Sequence, residues 1–480
     1  MKRVVFFFSL LIAMLSTMSG PVSAQSLSPM YNTIKQTANA IPPESFSAAT
    51  MDRFKSETVY PDIVLTYFEG SYTTSSGIIN KNYFICNDGA TNIQMFPLPD
   101  GLHVMDFEHL PGTDYVVFCG YAYEPSAPYH SIGMFGWFDL SSATQSPYTP
   151  DFHYVKERDF VQVERIVPYM ENGNHIAAIG KKRVSSGWNY SLIYSQIVIP
   201  ITSSSISYYI YNVRSSEAPV DIIKTENYLV FVGTDCSQSS NTMFIRKATY
   251  SDYSSQAFAE LNDVYCFTET DGEYAMPWYG TYLGNEITPS GNLIAVGGPM
   301  NLYSGQIVSR IRVFDVIPMV NVNSQQIVTA GKMGISDMAY THSSGLLATL
   351  MGGDPLTGGL PNVALLLKPT ATAAYTTDGI YDNDGTQYSS LDNLNYSPND
   401  CVHFVMAGFA PLGVKWLLKN STHPAPINGC NDVKNYSIDI VSPIIPQYSA
   451  DPITNSQKND YLITQSSNTI FLQSKSICTD

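Results

Sequence analysis

The chain has 480 residues, of which 44% are hydrophobic, 12% aromatic and only 14% charged, with a formal net charge of −16. Such a composition excludes an intrinsically disordered chain and is ample for a large core. The acidic balance repels phosphate backbones and argues against nucleic acid as a partner.

The first element in chain order is an export signal over residues 1–24. Lys2 and Arg3 form its basic start, Val4 to Leu15 its apolar stretch, and Val22-Ser23-Ala24 a small-residue cleavage site ahead of Gln25. The apolar stretch is shorter than the roughly 20 residues a membrane span needs. No later stretch is long and apolar enough, so no membrane span is expected. The expected location is secreted, periplasmic or at the cell surface. Loss of the signal leaves 23 basic against 41 acidic residues, a net charge of −18. Residues 25–60 are polar and read as a lead-in, with 61–480 as one domain.

Beyond the lead-in a pattern recurs. Apolar strands end at glycine in "YVVFCG" (Gly120), "HIAAIG" (Gly180), "YLVFVG" (Gly233), "LIAVG" (Gly297), "LLATLMG" (Gly352) and "CVHFVMAG" (Gly408). The intervals are 60, 53, 64, 55 and 56 residues. Turn formers such as "ENGN", "PSGN" and "SPND" precede the strands, as hairpins require. A polar loop and a further apolar strand follow each one, for example "SRIRVFDV". Each unit therefore holds four antiparallel strands, and tandem repetition of such units predicts a β-propeller.

The stretch "TPSGNLIAVGG…RIRVFDV" (Thr288 to Val316) resembles the inner three strands of WD-repeat-type propellers in order and spacing, with Phe314-Asp315 where that family often has Trp-Asp. The expected fold is all-β: a seven-bladed β-propeller. "DYLITQSSNTIFLQS" (Asp460 to Ser474) is expected to supply the first two strands of a composite closing blade. "GIINKNYFIC" (Gly77 to Cys86) and "NIQMFPLP" (Asn92 to Pro99) are expected to supply its third and fourth. An eighth blade is the alternative, because "IVLTYFEG" (Ile63 to Gly70) also has the pattern of a second strand.

The resemblance implies that each blade's first strand lines a central channel, and that the loops between second and third strands share one face. On that map Asp106 (with Glu108), Glu164, Asp221, Glu286, Asp337 and Asp460 stand near the starts of first strands. They form a candidate ring of oxygens for Ca2+, a cation that takes 6–8 oxygen ligands. The expected cofactor is otherwise none. The loop face carries Tyr121, Tyr123, Trp188, Tyr190 and Tyr303, with Trp278 and Tyr279 between blades, a set suited to contacting a glycan or a protein. The blade map also predicts disulfides Cys401–Cys430 and Cys236–Cys266, leaving Cys86, Cys119 and Cys478. No H-E-x-x-H, G-x-S-x-G or G-x-G-x-x-G occurs. The leading expectation is a monomeric, non-catalytic binding or scaffold propeller with a protein or glycan ligand. The alternative is a hydrolase or lyase acting at the acidic channel.

Overall fold

The computed structural model describes the backbone of strands between residues 32 and 479, and side chains over parts of residues 55–317. The described residues are all-β, arranged in several antiparallel sheets with no helix among them. It follows that no helix among them is long and apolar enough to cross a membrane.

Strand β1 (Asn32–Thr37) comes first. The first sheet holds β2 (Ala48–Tyr60), β3 (Ile63–Thr74), β4 (Gly77–Asn87) and β5 (Ile93–Pro97) in that order. The second holds β6 (Leu102–His109), β7 (Tyr115–Glu124), β8 (Ala127–Asp139) and β9 (Asp151–Glu157). The third holds β10 (Phe160–Tyr169), β11 (His175–Val184), β12 (Gly187–Ile197) and β13 (Ile206–Asn212). The fourth holds β14 (Glu217–Lys224), β15 (Tyr228–Asp235), β16 (Thr242–Thr249) and β17 (Val264–Phe267). In the fifth, β18 (Tyr274–Ala275) and β19 (Tyr279–Gly284) both pair with β20 (Leu293–Asn301), followed by β21 (Ile307–Asp315) and β22 (Val320–Val328). The sixth holds β23 (Met333–Thr341), β24 (Gly345–Gly352), β25 (Asn362–Pro369) and β26 (Tyr375–Asn383). The seventh is β27 (Tyr388–Asn393), β28 (Val402–Ala410) and β29 (Gly413–Ser421), with β1 as its fourth strand.

Six short strands then add one outer member each to six of these sheets, in reverse order. They are β30 (Ser437–Ile440) on β22, β31 (Gln447–Tyr448) on β17, β32 (Ile453–Asn455) on β13, β33 (Leu462–Ser466) on β9, β34 (Ile470–Leu472) on β5 and β35 (Ser474–Thr479) on β1.

Burial on both faces explains the unbroken apolar runs. On β7, Val116 and Phe118 enter the core shared with the first sheet, whereas Val117 and Cys119 enter the core shared with the third. On β11, Ile176 and Ala178 face one core and Ala177 and Ile179 the other. On β15, Leu229 and Phe231 alternate with Val230 and Val232 in the same way. Side chains of a strand point to opposite faces in turn, so a strand in the middle of stacked sheets has no polar face. The core of the first two sheets is aromatic. Phe84 meets Phe107 edge-on with ring centres 5.2 Å apart, a geometry that ring quadrupoles favour, and Phe138 at a tilt of 52° with centres 5.2 Å apart.

The leading strands touch one another in succession: β2 with β6, β6 with β10, β10 with β14, β14 with β19, β19 with β23, β23 with β27, and β27 with β2. Several carry a bulge at a matching place, between Val104 and Asp106, Val163 and Arg165, Pro219 and Asp221, and Ile335 and Asp337. The recurring glycine of the second strand lies opposite: Gly120 faces Val104 and Gly233 faces Pro219. A Cβ on Gly120 would overlap the His103 carbonyl oxygen, and one on Gly233 would sit 2.6 Å from Pro219 Cα. At Gly120 and Gly233 the glycine thus records close approach of a bulged neighbour.

Some expectations are corrected. Asp460–Ser474 contains β33 and β34, which pair as outer strands with β9 and β5 and are not the first two strands of a closing unit. Gly77–Cys86 and Asn92–Pro99 fall at β4 and β5, third and fourth in a sheet led by β2 and β3, and Ile63–Gly70 lies within β3. Short apolar–polar alternation fits an outer strand as well as an inner one, so the pattern alone could not place it. Residues 25–60 hold β1 and β2.

Candidate functional site

The hairpins joining second and third strands carry several of the described candidate side chains. Two of them turn on "Ser-Ser-Gly", with Thr74 opposite Gly77 and Val184 opposite Gly187. Both glycines have positive φ (131° and 138°), which glycine adopts without the strain other residues incur. Across the second and third sheets, Arg183 Nη2 donates to the Ser131 carbonyl oxygen at 2.9 Å. That bond brings the β7–β8 and β11–β12 hairpins together.

On the second sheet, Tyr121 stacks on His103 with ring centres 4.6 Å apart and planes 11° from parallel. Tyr123 meets His103 edge-on at 5.2 Å and is 40% exposed. Behind them His103 Nδ1 lies 2.8 Å from Glu69 Oε1 on β3. On the third sheet, Trp188 is 46% exposed and meets Tyr190 edge-on at 5.1 Å. Lys181 Nζ stands 4.7 Å from the Trp188 ring centre and 5.4 Å from that of Tyr190, a cation–π arrangement. Glu164 Oε1 holds the same ammonium at 2.6 Å. Burial, with the neighbouring Glu164 charge and hydrogen bond, pushes the Tyr190 hydroxyl well up, so it stays protonated.

The acidic positions meet cations or backbone donors. Asp106 Oδ1 accepts from Lys55 Nζ of β2 and from its neighbour Phe107 N. Its Oδ2 accepts from Ile166 N of β10 at 2.9 Å. One carboxylate therefore ties together three leading strands. Lys55 also donates to Glu108 at 2.8 Å. Burial alone would lower the Lys55 ammonium, but Asp106, Glu108 and Glu57 carry it well above its usual value. Burial pushes the Glu108 carboxyl up, against the pull of Lys55. Asp221 Oδ1 lies 3.7 Å from Arg165 Nε. Among the described residues no group of three His, Cys, Asp or Glu side chains is placed to hold a metal.

Asp337 lies in β23 and Tyr279 in β19, with only their backbones described. Glu286, Asp460, Trp278 and Tyr303 lie outside the described residues, as do the side chains of Cys236, Cys266, Cys401 and Cys430. Cys86 and Cys119 are buried. Sequence reasoning missed Glu69, His103 and Lys181. Only Lys181 carried a signal, as the residue after a repeat glycine. No protein-family model and no curated protein matches this chain.

Proposed function

We propose that the chain is an exported, non-catalytic binding protein that holds a glycan on aromatic side chains at its hairpin end, with a protein surface as the other ligand class. The observation that carries this reading is the pairing of an exposed ring with a fixed polar group in two adjacent sheets: Tyr123 beside His103, and Trp188 over Lys181. Exposed rings offer broad, rigid contact area, and the polar groups add direction.

The scaffold in this proposal is a seven-bladed propeller with a composite closing blade. The succession of leading-strand contacts, with β27 returning to β2, supports it. So does the sharing of one sheet by β1 and β27–β29. Export rests on the signal-like residues 1–24.

The test is a glycan panel with the purified full chain, then Trp188→Ala and Tyr123→Ala. Each substitution is expected to weaken binding at least tenfold, about 1.4 kcal/mol, with the melting midpoint nearly unchanged. Undiminished binding by both variants would sink the reading. The second reading, a hydrolase or lyase at an acidic calcium site, has behind it the closeness of Asp106 and Glu108, which share the Lys55 ammonium. A midpoint that rises in millimolar Ca2+ relative to EDTA would favour it.

A further inference from the structure

Within the hairpin-end cluster, His103 is 8% exposed. Glu69, itself 9% exposed, faces its Nδ1 at 2.8 Å. The Tyr67 hydroxyl donates to Glu69 Oε2 at 3.1 Å and accepts from Val104 N at 3.1 Å. The carboxylate is thus fixed from behind by a tyrosine that the β6 backbone in turn fixes.

A carboxylate only accepts hydrogen bonds, so in the neutral ring the proton sits on Nδ1. Nε2 is then an acceptor. It has no hydrogen-bond partner among the described residues, and it is not one of the buried atoms left without one. The imidazole packs against Tyr121 and Tyr123, whose ring centres are 5.6 Å apart with planes at 79°. An acceptor between aromatic walls fits a molecule that offers an O–H donor beside C–H faces. Glu69 behind the ring disfavours an anion, and a lone nitrogen is a poor seat for a metal cation.

We infer that His103 Nε2 accepts a hydrogen bond from a hydroxyl of a neutral saccharide, with Glu69 as the residue that sets its tautomer. This inference rests on the glycan reading above and names the chemistry of one subsite.

The experiment uses the full chain labelled with 15N-histidine and the methyl glycosides of glucose, galactose and mannose as probes. The expected spectrum of His103 is that of the Nδ1–H tautomer, with the Nε2 resonance moving when a glycoside binds. His103→Gln and Glu69→Gln are each expected to weaken that glycoside at least tenfold. The Glu69→Gln amide can donate to Nδ1 and so turn Nε2 into a donor. A His103 proton on Nε2 overturns the inference whether or not any sugar binds. Glycoside binding that survives both substitutions overturns it and leaves the glycan reading standing. No binding of any glycoside, with a glycan panel also silent, overturns both.

Discussion

Alanine at Gly120 tests the explanation of the glycine repeat most directly. A Cβ there would overlap the His103 carbonyl oxygen and lie 3.0 Å from both His103 C and Met105 N. All three are backbone atoms of β6, at the start of its bulge, so relief requires a strand to move. At Gly180 the nearest atoms are instead side-chain atoms, Ile193 Cδ1 and Phe160 Cδ1, both at 2.9 Å. Overpacking of this kind costs about 1–3 kcal/mol and more where the backbone must yield. Replacing glycine returns about 0.4–1 kcal/mol through the unfolded chain. Gly120→Ala is therefore expected to cost about 3 kcal/mol, and Gly180→Ala about 1 kcal/mol or less. Urea unfolding followed by tryptophan fluorescence measures both. Gly120→Ala should also weaken any ligand that uses His103, because the clash falls on that residue's own carbonyl. If Gly120→Ala is as stable as the parent, or Gly180→Ala is the worse of the two, the close-approach explanation is refuted.

Three further outcomes are expected. Burial holds His109 below the usual imidazole value, despite the bond from Nε2 to the Thr113 carbonyl oxygen and the nearby Asp114. The unfolded chain then binds the extra proton first, so stability falls as pH drops from about 6.5 toward that lowered value and levels off beneath it. His109→Gln should show a smaller difference between melts at about pH 7.5 and 5.5, and an equal difference would contradict the linkage. Arg246 and Glu217 form a buried pair at 2.6 Å, each 2% exposed. Arg246→Ala should cost about 3–5 kcal/mol by stranding the carboxylate, whereas the double change Arg246→Met, Glu217→Leu should cost far less. Equal losses would show that packing, not charge, dominates. The Cys119 thiol is pushed well up by burial, with the Asp106 charge adding to it, so alkylation at neutral pH should reach it only after unfolding. Modification in native buffer, read by peptide mapping, would contradict its placement.

What was legible in the sequence follows from which strands have two apolar faces. "YVVFCG" and "YLVFVG" read plainly as strands because alternate residues enter two different cores. β2 read as a polar lead-in because Lys55 and Glu57 spend their side chains on neighbouring leading strands rather than in a core. The outer strands within Asp460–Ser474 were misplaced because runs such as Ile470–Leu472 are too short to show any period. Tyr121, Tyr123, Trp188 and Tyr190 were visible through loop composition. The polar groups behind them were not, since Glu69 lies 34 residues from His103 and meets it only through sheet stacking. The acidic positions were found, but their partners Lys55, Arg165 and Ile166 N come from other strands, and spacing along one strand cannot show them.

The reversed run of outer strands gives the molecule duplicate wiring. The third and fourth sheets are joined once between β13 and β14, and again by the stretch between β32 and β31. The same holds for the fifth sheet with the fourth, the third with the second, and the second with the first. A single cut in the main connection between two of these sheets therefore leaves a covalent path between their outer edges. The fragments stay tethered, and their reassembly becomes an intramolecular event at high effective concentration. Proteolytic nicks in those connections should be survivable.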